Sequence, residues 1–369
     1  MNHLTHSYIL DFKENIKKNK IITILFITYI FTFSIFGIIL KDQEISYTER
    51  RKLQDFPKFT FNNEYINKID KYLLDHFPLR DKFRSVKANF NYYVLQRLDN
   101  NNIYLKDNYI FKSNYPTNIK SISNFINHVN NTSVNFKNNN IYLMVIPDKN
   151  YYIKEDDFLS IDYDYIYNEI SNLNVFNIDI RDVLSLEDYY ETDTHWKQEK
   201  LEKVIKKMSK KMKFDHKKEI YKENVYNNFY GVYYGESAIS RKSEKLTYLT
   251  NNNLDKLKVS YLENKNLNTI YNLDKLESID SYEVYLDGAS SFLEIYNNSS
   301  NTDKELIVFR DSFASSLIPL LTSYYKKITL IDNRYITSSN FLDLIENNNQ
   351  DILFIYSTLI VNNSFSLKN

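Results

Sequence analysis

Three side chains of this sequence have the types and the order that acyl chemistry needs. Asp193 and His195 stand two residues apart in the segment TDTHW, and Ser312 lies much later, in the segment FRDSF. A serine hydroxyl needs a neighbouring base, because it holds its own proton tightly at neutral pH. An imidazole can take that proton, and a carboxylate can set the tautomer of the imidazole and stabilise the imidazolium. The three residues are therefore candidates for a nucleophile, a general base and an orienting acid.

Each of these residues also has a purely structural interpretation. Ser312 stands where a predicted strand gives way to a predicted helix, and serine is a common N-cap at such a position. Asp193, Thr194 and His195 precede residues 196–212, whose apolar side chains keep helical spacing, so they could cap that helix. The catalytic interpretation requires that two distant segments meet in the fold, whereas capping requires only local contacts.

The elements that must position Ser312 follow from the apolar pattern near the end of the chain. Strands are predicted at residues 305–309, 327–332 and 351–356, with helices at 312–325 and 339–347 between them. Strands and helices that alternate through short connections imply parallel pairing and right-handed crossovers. The predicted body is therefore α/β, with helices on both faces of a mostly parallel sheet.

Further elements are predicted upstream of this region. The continuous apolar run over residues 141–146 indicates a buried strand. A helix is predicted at residues 162–173 and a short strand at 175–180. We interpret residues 220–300 as irregular β material with loops.

Polar side chains follow several of the predicted strands. Lys149 comes shortly after the strand at 141–146, and Asn333 and Arg334 follow the strand at 327–332. In an open α/β sheet, ligands bind beyond the carboxyl ends of the strands. These three residues are therefore candidate substrate or oxyanion ligands. The alternative is solvated loop charge for Lys149 and Arg334, and a turn role for Asn333.

A membrane anchor is predicted near the N-terminus. Residues 21–40 contain no charged side chain, and about 20 apolar residues in a helix span the hydrocarbon core of a bilayer. A cleaved signal peptide is the alternative, but the apolar run is long for one and no small-x-small cleavage site follows it.

The charges that flank this segment predict its orientation. Four lysines precede it, and this excess of positive charge favours a cytoplasmic N-terminus. We therefore predict a single-pass protein of the cell membrane with a cytoplasmic segment at 1–20, an anchor at 21–40 and a juxtamembrane linker at 41–60. Residues 61–369 would form an extracytoplasmic domain.

Composition excludes several classes of function. Lys and Arg together number 47, as do Asp and Glu, so the formal net charge is zero and no nucleic-acid partner is expected. Cysteine is absent, which excludes disulfides, thiolate metal sites and a cysteine nucleophile. No histidine pair has metal-ligand spacing, so neither a metal nor a cofactor is predicted. With four glycines, neither a P-loop nor a dinucleotide fingerprint can be written.

The segments TDTHW and FRDSFASSL, together with the predicted anchor, resemble the DHHW family of membrane-anchored SGNH-like proteins, relatives of the alginate O-acetylation proteins AlgX and AlgJ. Shorter segments of the same resemblance are TERRKLQDFP, FPLRD, VIPDK, YEVYLDG and LIDNRYI, and together they extend over most of the body. The resemblance implies an SGNH-like three-layer domain. It also implies that Ser312 is the nucleophile, His195 the base and Asp193 the orienting carboxylate.

The resemblance implies a function as well. Proteins of this kind transfer acetyl groups onto hydroxyls of an exported or cell-surface polysaccharide through an acyl-serine intermediate. A multi-spanning membrane acyltransferase beside them supplies the acetyl group. Two alternatives stay open: a carbohydrate acetyl esterase with the same triad, and a non-catalytic polysaccharide-binding component of an export or acetylation complex.

The sequence departs from the family pattern at two places. Arg310 stands where a typical SGNH segment has glycine, and its side chain could crowd the site or bind an acidic sugar. In YLDGAS, Ala289 and Ser290 replace the polar pair that the family has after its glycines. Gly288 remains there as a possible backbone donor to an oxyanion.

Overall fold

The structure is a computed structural model of the chain. It describes residues 2–100, 102–153, 158–263, 267–346 and 348–368, with side chains from residue 17 onward. The chain divides into two compact units, Met1–Phe90 and Asn91–Asn369. The predicted division into cytoplasmic segment, anchor, linker and extracytoplasmic domain stays a prediction.

The first unit is mainly helical. Its elements are α1 (Asn2–Ile39), β1 (Ile45–Ser46), β2 (Arg51–Lys52), α2 (Asn63–Asp75) and α3 (Arg80–Asn89), with β1 and β2 paired antiparallel. Helix α1 contains a stretch, Lys17–Ile39, that is long and apolar enough to cross a membrane. The predicted apolar helix is therefore confirmed, while its orientation stays a prediction.

The second unit contains the remaining strands and helices. The strands are β3 (Asp99–Asn100), β4 (Ile103–Lys106), β5 (Tyr109–Lys112), β6 (Ile141–Ile146), β7 (Phe176–Asn177), β8 (Lys222–Phe229), β9 (Glu244–Thr250), β10 (Lys258–Tyr261), β11 (Phe292–Tyr296), β12 (Glu305–Arg310), β13 (Lys327–Ile331) and β14 (Asp351–Ser357). The helices are α4 (Ile119–Ser133), α5 (Tyr163–Ser171), α6 (Glu202–Met212), α7 (Val232–Ser237), α8 (Ala314–Leu321), α9 (Ser338–Leu342) and α10 (Thr358–Val361).

A seven-stranded sheet forms the centre of this unit, in the order β10-β11-β13-β12-β14-β6-β7. The pairs from β13 to β7 are parallel, and β11 pairs antiparallel with β10 and with β13. The predicted mostly parallel sheet is confirmed. In the register, Phe309 lies beside Ile331 and Phe354, so the residues that follow β12, β13 and β14 meet at one edge.

Both faces of the sheet are covered, which makes three layers. Alternate residues of β12 enter two separate clusters, with Val308 in the one that includes residues of α6 and α8, and Phe309 in the one that includes residues of α4 and α5. Every residue of β14 is buried. Strands buried on both faces read as continuous apolar runs, which is why these strands could be predicted from the sequence.

Two upstream predictions need correction. The strand predicted at residues 175–180 is reduced to Phe176–Asn177. Residues 220–300 are more regular than predicted, because β8 and β9 form an antiparallel pair and β10 and β11 extend the main sheet.

Candidate active site

Ser312, His195 and Asp193 form a continuous chain of hydrogen bonds. His195 Nε2 lies 2.8 Å from Ser312 Oγ, and His195 Nδ1 lies 2.6 Å from Asp193 Oδ1. Because an ionised carboxylate can only accept, Nδ1 carries the proton and Nε2 presents its lone pair to the serine hydroxyl. This is the geometry in which the imidazole can take the proton of the serine.

The structure rules out the capping interpretations of these residues. Helix α8 begins at Ala314 with Phe313 as its N-cap residue, so Ser312 does not cap it. Helix α6 begins only at Glu202, and Trp196 forms an isolated antiparallel bridge with Tyr189 instead of a first helical turn. The DTH segment therefore does not cap α6.

Backbone amides orient the carboxylate of Asp193, which is 1% exposed. Oδ1 accepts the N–H of His195 at 3.0 Å, and Oδ2 accepts the N–H of Val232 at 2.8 Å. The start of α7 can approach this closely because residue 231 is glycine: a Cβ there would lie 2.3 Å from the Thr192 carbonyl oxygen. Sequence reasoning missed this contact, although a glycine in a chain with only four was a usable signal.

Lys149 binds the loop that carries Asp193. Its Nζ donates to the carbonyl oxygens of Tyr190 at 3.0 Å, Glu191 at 3.0 Å and Asp193 at 2.8 Å. Burial lowers the pKa of Lys149 to about 7, while the attraction of nearby carboxylates, Asp193 foremost, opposes this shift. The interpretation as solvated loop charge is therefore wrong. Because the three ammonium donors are all used, the predicted contact with substrate is not supported either.

A carboxylate binds the same loop from the other side. Glu244, the first residue of β9, accepts the backbone N–H groups of Glu191 and Thr192, each at 2.6 Å. The ammonium of Lys149 thus binds carbonyl oxygens of residues 190–193, while the carboxylate of Glu244 binds backbone N–H groups of the same segment. We conclude that both side chains hold the loop in the conformation that aims Asp193 at His195.

Replacing Lys149 with methionine is expected to slow reaction at Ser312 by about 10–100-fold, the cost of displacing a catalytic group by roughly 1 Å. Methionine keeps the volume of lysine but has no donors for the three carbonyls. Only the ammonium has three N–H donors, so the contact is complete below the pKa of about 7 and weakens as the pH rises through it. The ratio of the wild-type rate to the Lys149→Met rate should therefore decrease above neutral pH.

The measurement is the rate at which a sulfonyl fluoride labels Ser312, followed across neutral pH in both proteins. Lys200→Met is the matched control, because Lys200 is exposed, and it should behave like the wild type. Circular dichroism checks that the fold is kept. Equal labelling rates for Lys149→Met and wild type at every pH would contradict the positioning role.

Aromatic side chains fix the plane of the imidazole and its distance from α8. The ring of Tyr282 stacks on His195 with centroids 3.8 Å apart and an interplanar angle of 7°. The Tyr282 hydroxyl donates to Ser316 Oγ at 2.9 Å, and Trp196 Nε1 donates to the same oxygen at 3.0 Å and to the Phe313 carbonyl at 2.9 Å. The only tryptophan of the chain therefore ties the histidine segment to the helix that follows Ser312.

The turn that carries Ser312 offers a donor for a developing oxyanion. Asp311 braces this turn, since Oδ1 accepts the Phe313 N–H at 3.0 Å and Oδ2 accepts the Ser357 N–H at 2.7 Å. Among the residues that the structure describes, the N–H of Ser312 has no hydrogen-bond partner. It lies just before α8, where the aligned peptide dipoles favour negative charge.

Two of the other predicted ligands, Gly288 and Arg334, make hydrogen bonds within the protein. The Gly288 N–H donates to the Tyr285 carbonyl at 3.2 Å, so the predicted role as an oxyanion donor is not supported. Gly288 instead supplies a backbone with φ of +74°. Arg334 makes a bidentate pair with Asp332, with Nε at 2.9 Å and Nη2 at 2.7 Å from its oxygens, and this pairing raises its pKa against the effect of burial. It is therefore not a solvated loop charge.

Arg310 and Asn333 are buried beneath the carboxyl edge of the sheet. Arg310 is 1% exposed, its Nη1 donates to Ser315 Oγ at 2.8 Å, and burial lowers its pKa. Its Nε and Nη2, and Asn333 Nδ2, have no partner within the described part of the chain. Arg310 therefore points into the protein beside α8, and its side chain is accommodated without displacing Ser312 from His195.

The comparisons with known proteins were made by family, by sequence and by structure. No family model matches the chain, and no curated protein matches its sequence. Among solved structures, a DHHW family protein from Eubacterium siraeum superposes with a TM-score of 0.62 and 17% identity, covering 73% of this chain and 97% of that one.

PatB1 from Bacillus cereus gives a TM-score of 0.56 and 19% identity, covering 71% of this chain and 97% of PatB1. The O-acetyltransferase domain of Pseudomonas putida AlgJ gives a TM-score of 0.43 and 11% identity, over 70% of this chain and 92% of that one. The chain thus has the SGNH-like three-layer α/β fold that the DHHW family protein and PatB1 share, as the resemblance in its sequence predicted.

Proposed function

We propose that this protein is a membrane-anchored O-acetyltransferase that modifies hydroxyls of an exported or cell-surface polysaccharide. The observation that carries the proposal is the approach of His195 Nε2 to Ser312 Oγ at 2.8 Å, with Asp193 behind the imidazole at 2.6 Å. The resemblance of TDTHW and FRDSF to the DHHW family supports the same interpretation. So does a likeness to PatB1, one structure of which carries a sulfonyl adduct.

The geometry suits a two-step transfer. His195 takes the hydroxyl proton of Ser312 while Oγ attacks the acetyl carbonyl of the donor, and the Ser312 N–H binds the resulting oxyanion. Collapse of this intermediate expels the donor's leaving group, which receives the proton from His195, and leaves an acetyl-serine. His195 then takes the proton of a sugar hydroxyl, whose oxygen attacks the acetyl-serine. Collapse of the second tetrahedral intermediate breaks the bond between the acetyl carbon and Ser312 Oγ, and Oγ takes the proton from His195. The products are an acetylated sugar and free Ser312.

Incubation of the full chain with p-nitrophenyl acetate, with and without oligosaccharide, tests this proposal. A transferase is expected to place acetyl groups on the oligosaccharide, which mass spectrometry detects. Release of acetate alone, unaffected by sugar, indicates the esterase alternative, since water would then be the acceptor. Absence of any turnover indicates the non-catalytic, polysaccharide-binding alternative.

The location and the partner belong to the same proposal. The uncharged segment at 21–40 and the lysines before it support a cytoplasmic N-terminus and an extracytoplasmic body. An external body has no access to cytoplasmic acetyl donors, so a multi-spanning membrane acyltransferase would supply the acetyl group. Single cysteines placed in the body should react with an impermeant maleimide on intact cells, and protection of all of them would overturn this orientation.

A further inference from the structure

Helix α3 uses its polar side within the first unit. Arg80 Nη2 lies 2.7 Å from Glu49, and Arg84 Nη2 lies 3.1 Å from the same carboxylate. Glu49 stands between β1 and β2, so these ion pairs attach α3 to that small hairpin. The orientation of α3 about its own axis is thereby set, and the face away from these two arginines is turned outward.

That outward face carries a stripe of large apolar side chains. Leu79 stands directly before the helix in left-handed backbone, and Phe83, Val86 and Phe90 follow at spacings of three and four residues, which places these three on one helical face. The four side chains are 58%, 42%, 67% and 50% exposed. A contiguous apolar surface of this kind marks a contact with lipid or protein, because soluble proteins rarely leave one in water.

The stripe continues onto the apolar helix α1. Phe33 of α1 stacks on Phe77 with ring centroids 5.3 Å apart, and it meets Phe83 edge-on at 5.7 Å. One turn further along α1, Gly37 faces Pro78: a Cβ at Gly37 would lie 4.0 Å from Pro78 Cδ. The segment that leads into α3 therefore packs along the C-terminal part of the candidate membrane span.

The length of the span sets the depth of this contact. The twenty uncharged residues at 21–40 extend about 30 Å as a helix, which equals the thickness of the hydrocarbon core, so all of them are needed to cross it. Phe33 is seven residues from the end of that segment, about 10 Å inside the apolar layer. Phe77 and Phe83, which touch Phe33, must then lie within the layer too.

We propose that α3 is an interfacial membrane helix, whose apolar stripe lies among the acyl chains of the leaflet at the C-terminal end of the anchor. Lys82 and Lys87 support lipid as the occupant. Both are exposed, and at about 100° per residue they flank the stripe by about 70° on either side. Lysines in these positions keep their ammonium groups at the headgroups while the stripe is immersed.

The absence of cysteine makes this proposal directly testable, because one introduced thiol can be labelled without background. Val86→Cys places an environment-sensitive fluorophore in the stripe, and Asp81→Cys places it on the opposite side of α3. The full chain is reconstituted in vesicles of phosphatidylcholine and phosphatidylglycerol. We expect nitroxide-bearing acyl chains to quench the label at 86 severalfold more than the label at 81, and aqueous iodide to show the reverse.

Equal access of iodide to both labels would overturn the proposal. Access to the label at 86 in pure lipid vesicles, with protection only in native membranes, would also overturn it and would point to a protein on the stripe. Phe90→Cys reads the same face at a second position, so a local disturbance at residue 86 does not decide the outcome. The readout is independent of enzymatic activity.

Discussion

Replacing Ser312 with alanine is expected to abolish acetyl transfer, with a loss on the order of 10⁶-fold, the typical cost of removing a triad nucleophile. The change deletes the Oγ that lies 2.8 Å from His195 Nε2. Ser312 is partly exposed and does not cap α8, so the fold should be kept. The loss therefore reports chemistry rather than stability.

The assay for this variant has two readouts. The first is turnover of an acetyl ester. The second is intact mass after treatment with a sulfonyl fluoride, in which Ser312 Oγ bonds to sulfur and fluoride leaves. Wild type should gain one sulfonyl group and Ser312→Ala none, while the control Ser323→Ala, just beyond the end of α8, should match the wild type. Undiminished turnover by Ser312→Ala would remove the catalytic proposal.

Replacing Asp193 with asparagine is expected to lower kcat/KM by about 10⁴-fold, because the imidazole is then held in the wrong tautomer. In the wild type, Asp193 Oδ1 accepts from His195 Nδ1 at 2.6 Å. An amide NH₂ at this position donates to Nδ1 and shifts the proton to Nε2, which then has no lone pair for the serine hydroxyl. The size of the side chain is unchanged.

This variant separates orientation from folding. The amide oxygen of the introduced asparagine can still accept the Val232 N–H, which Asp193 Oδ2 accepts at 2.8 Å, whereas the His195 N–H loses its acceptor Oδ1. The thermal midpoint should therefore fall only modestly, because one hydrogen bond contributes about 1 kcal/mol. Kinetics of ester turnover and the rate of sulfonyl labelling should fall together. Asp303→Asn, at an exposed position, controls for the loss of a negative charge. A decrease below tenfold would show that Asp193 does not govern the tautomer.

The local pattern of apolar residues was sufficient to predict the strands that frame the site. The apolar runs of β6, β12, β13 and β14 indicated buried strands, because a strand covered on both faces has little room for polar residues. Their alternation with helices indicated parallel order, and parallel order places the ends of β12 and β13 at one edge. The proximity of Ser312 to that edge followed from sequence alone.

The partners of the site residues depended on the tertiary structure. Lys149 was predicted as a ligand or a solvated charge, yet it binds three carbonyls of a loop more than forty residues later. Gly288 has its N–H occupied by Tyr285, and Gly231 makes room for the amide that orients Asp193.

The sequence by itself determined the strands and helices that frame the site and the long apolar helix near the N-terminus, because hydrophobic periodicity is a local property. Only the tertiary structure decided which buried donors and acceptors satisfy one another, and hence which polar residues hold the loop and which face the serine. A buried polar group must find a partner, but that partner can come from any segment that the fold brings near. The spacing of residues along the chain therefore does not predict which partner a buried polar group has.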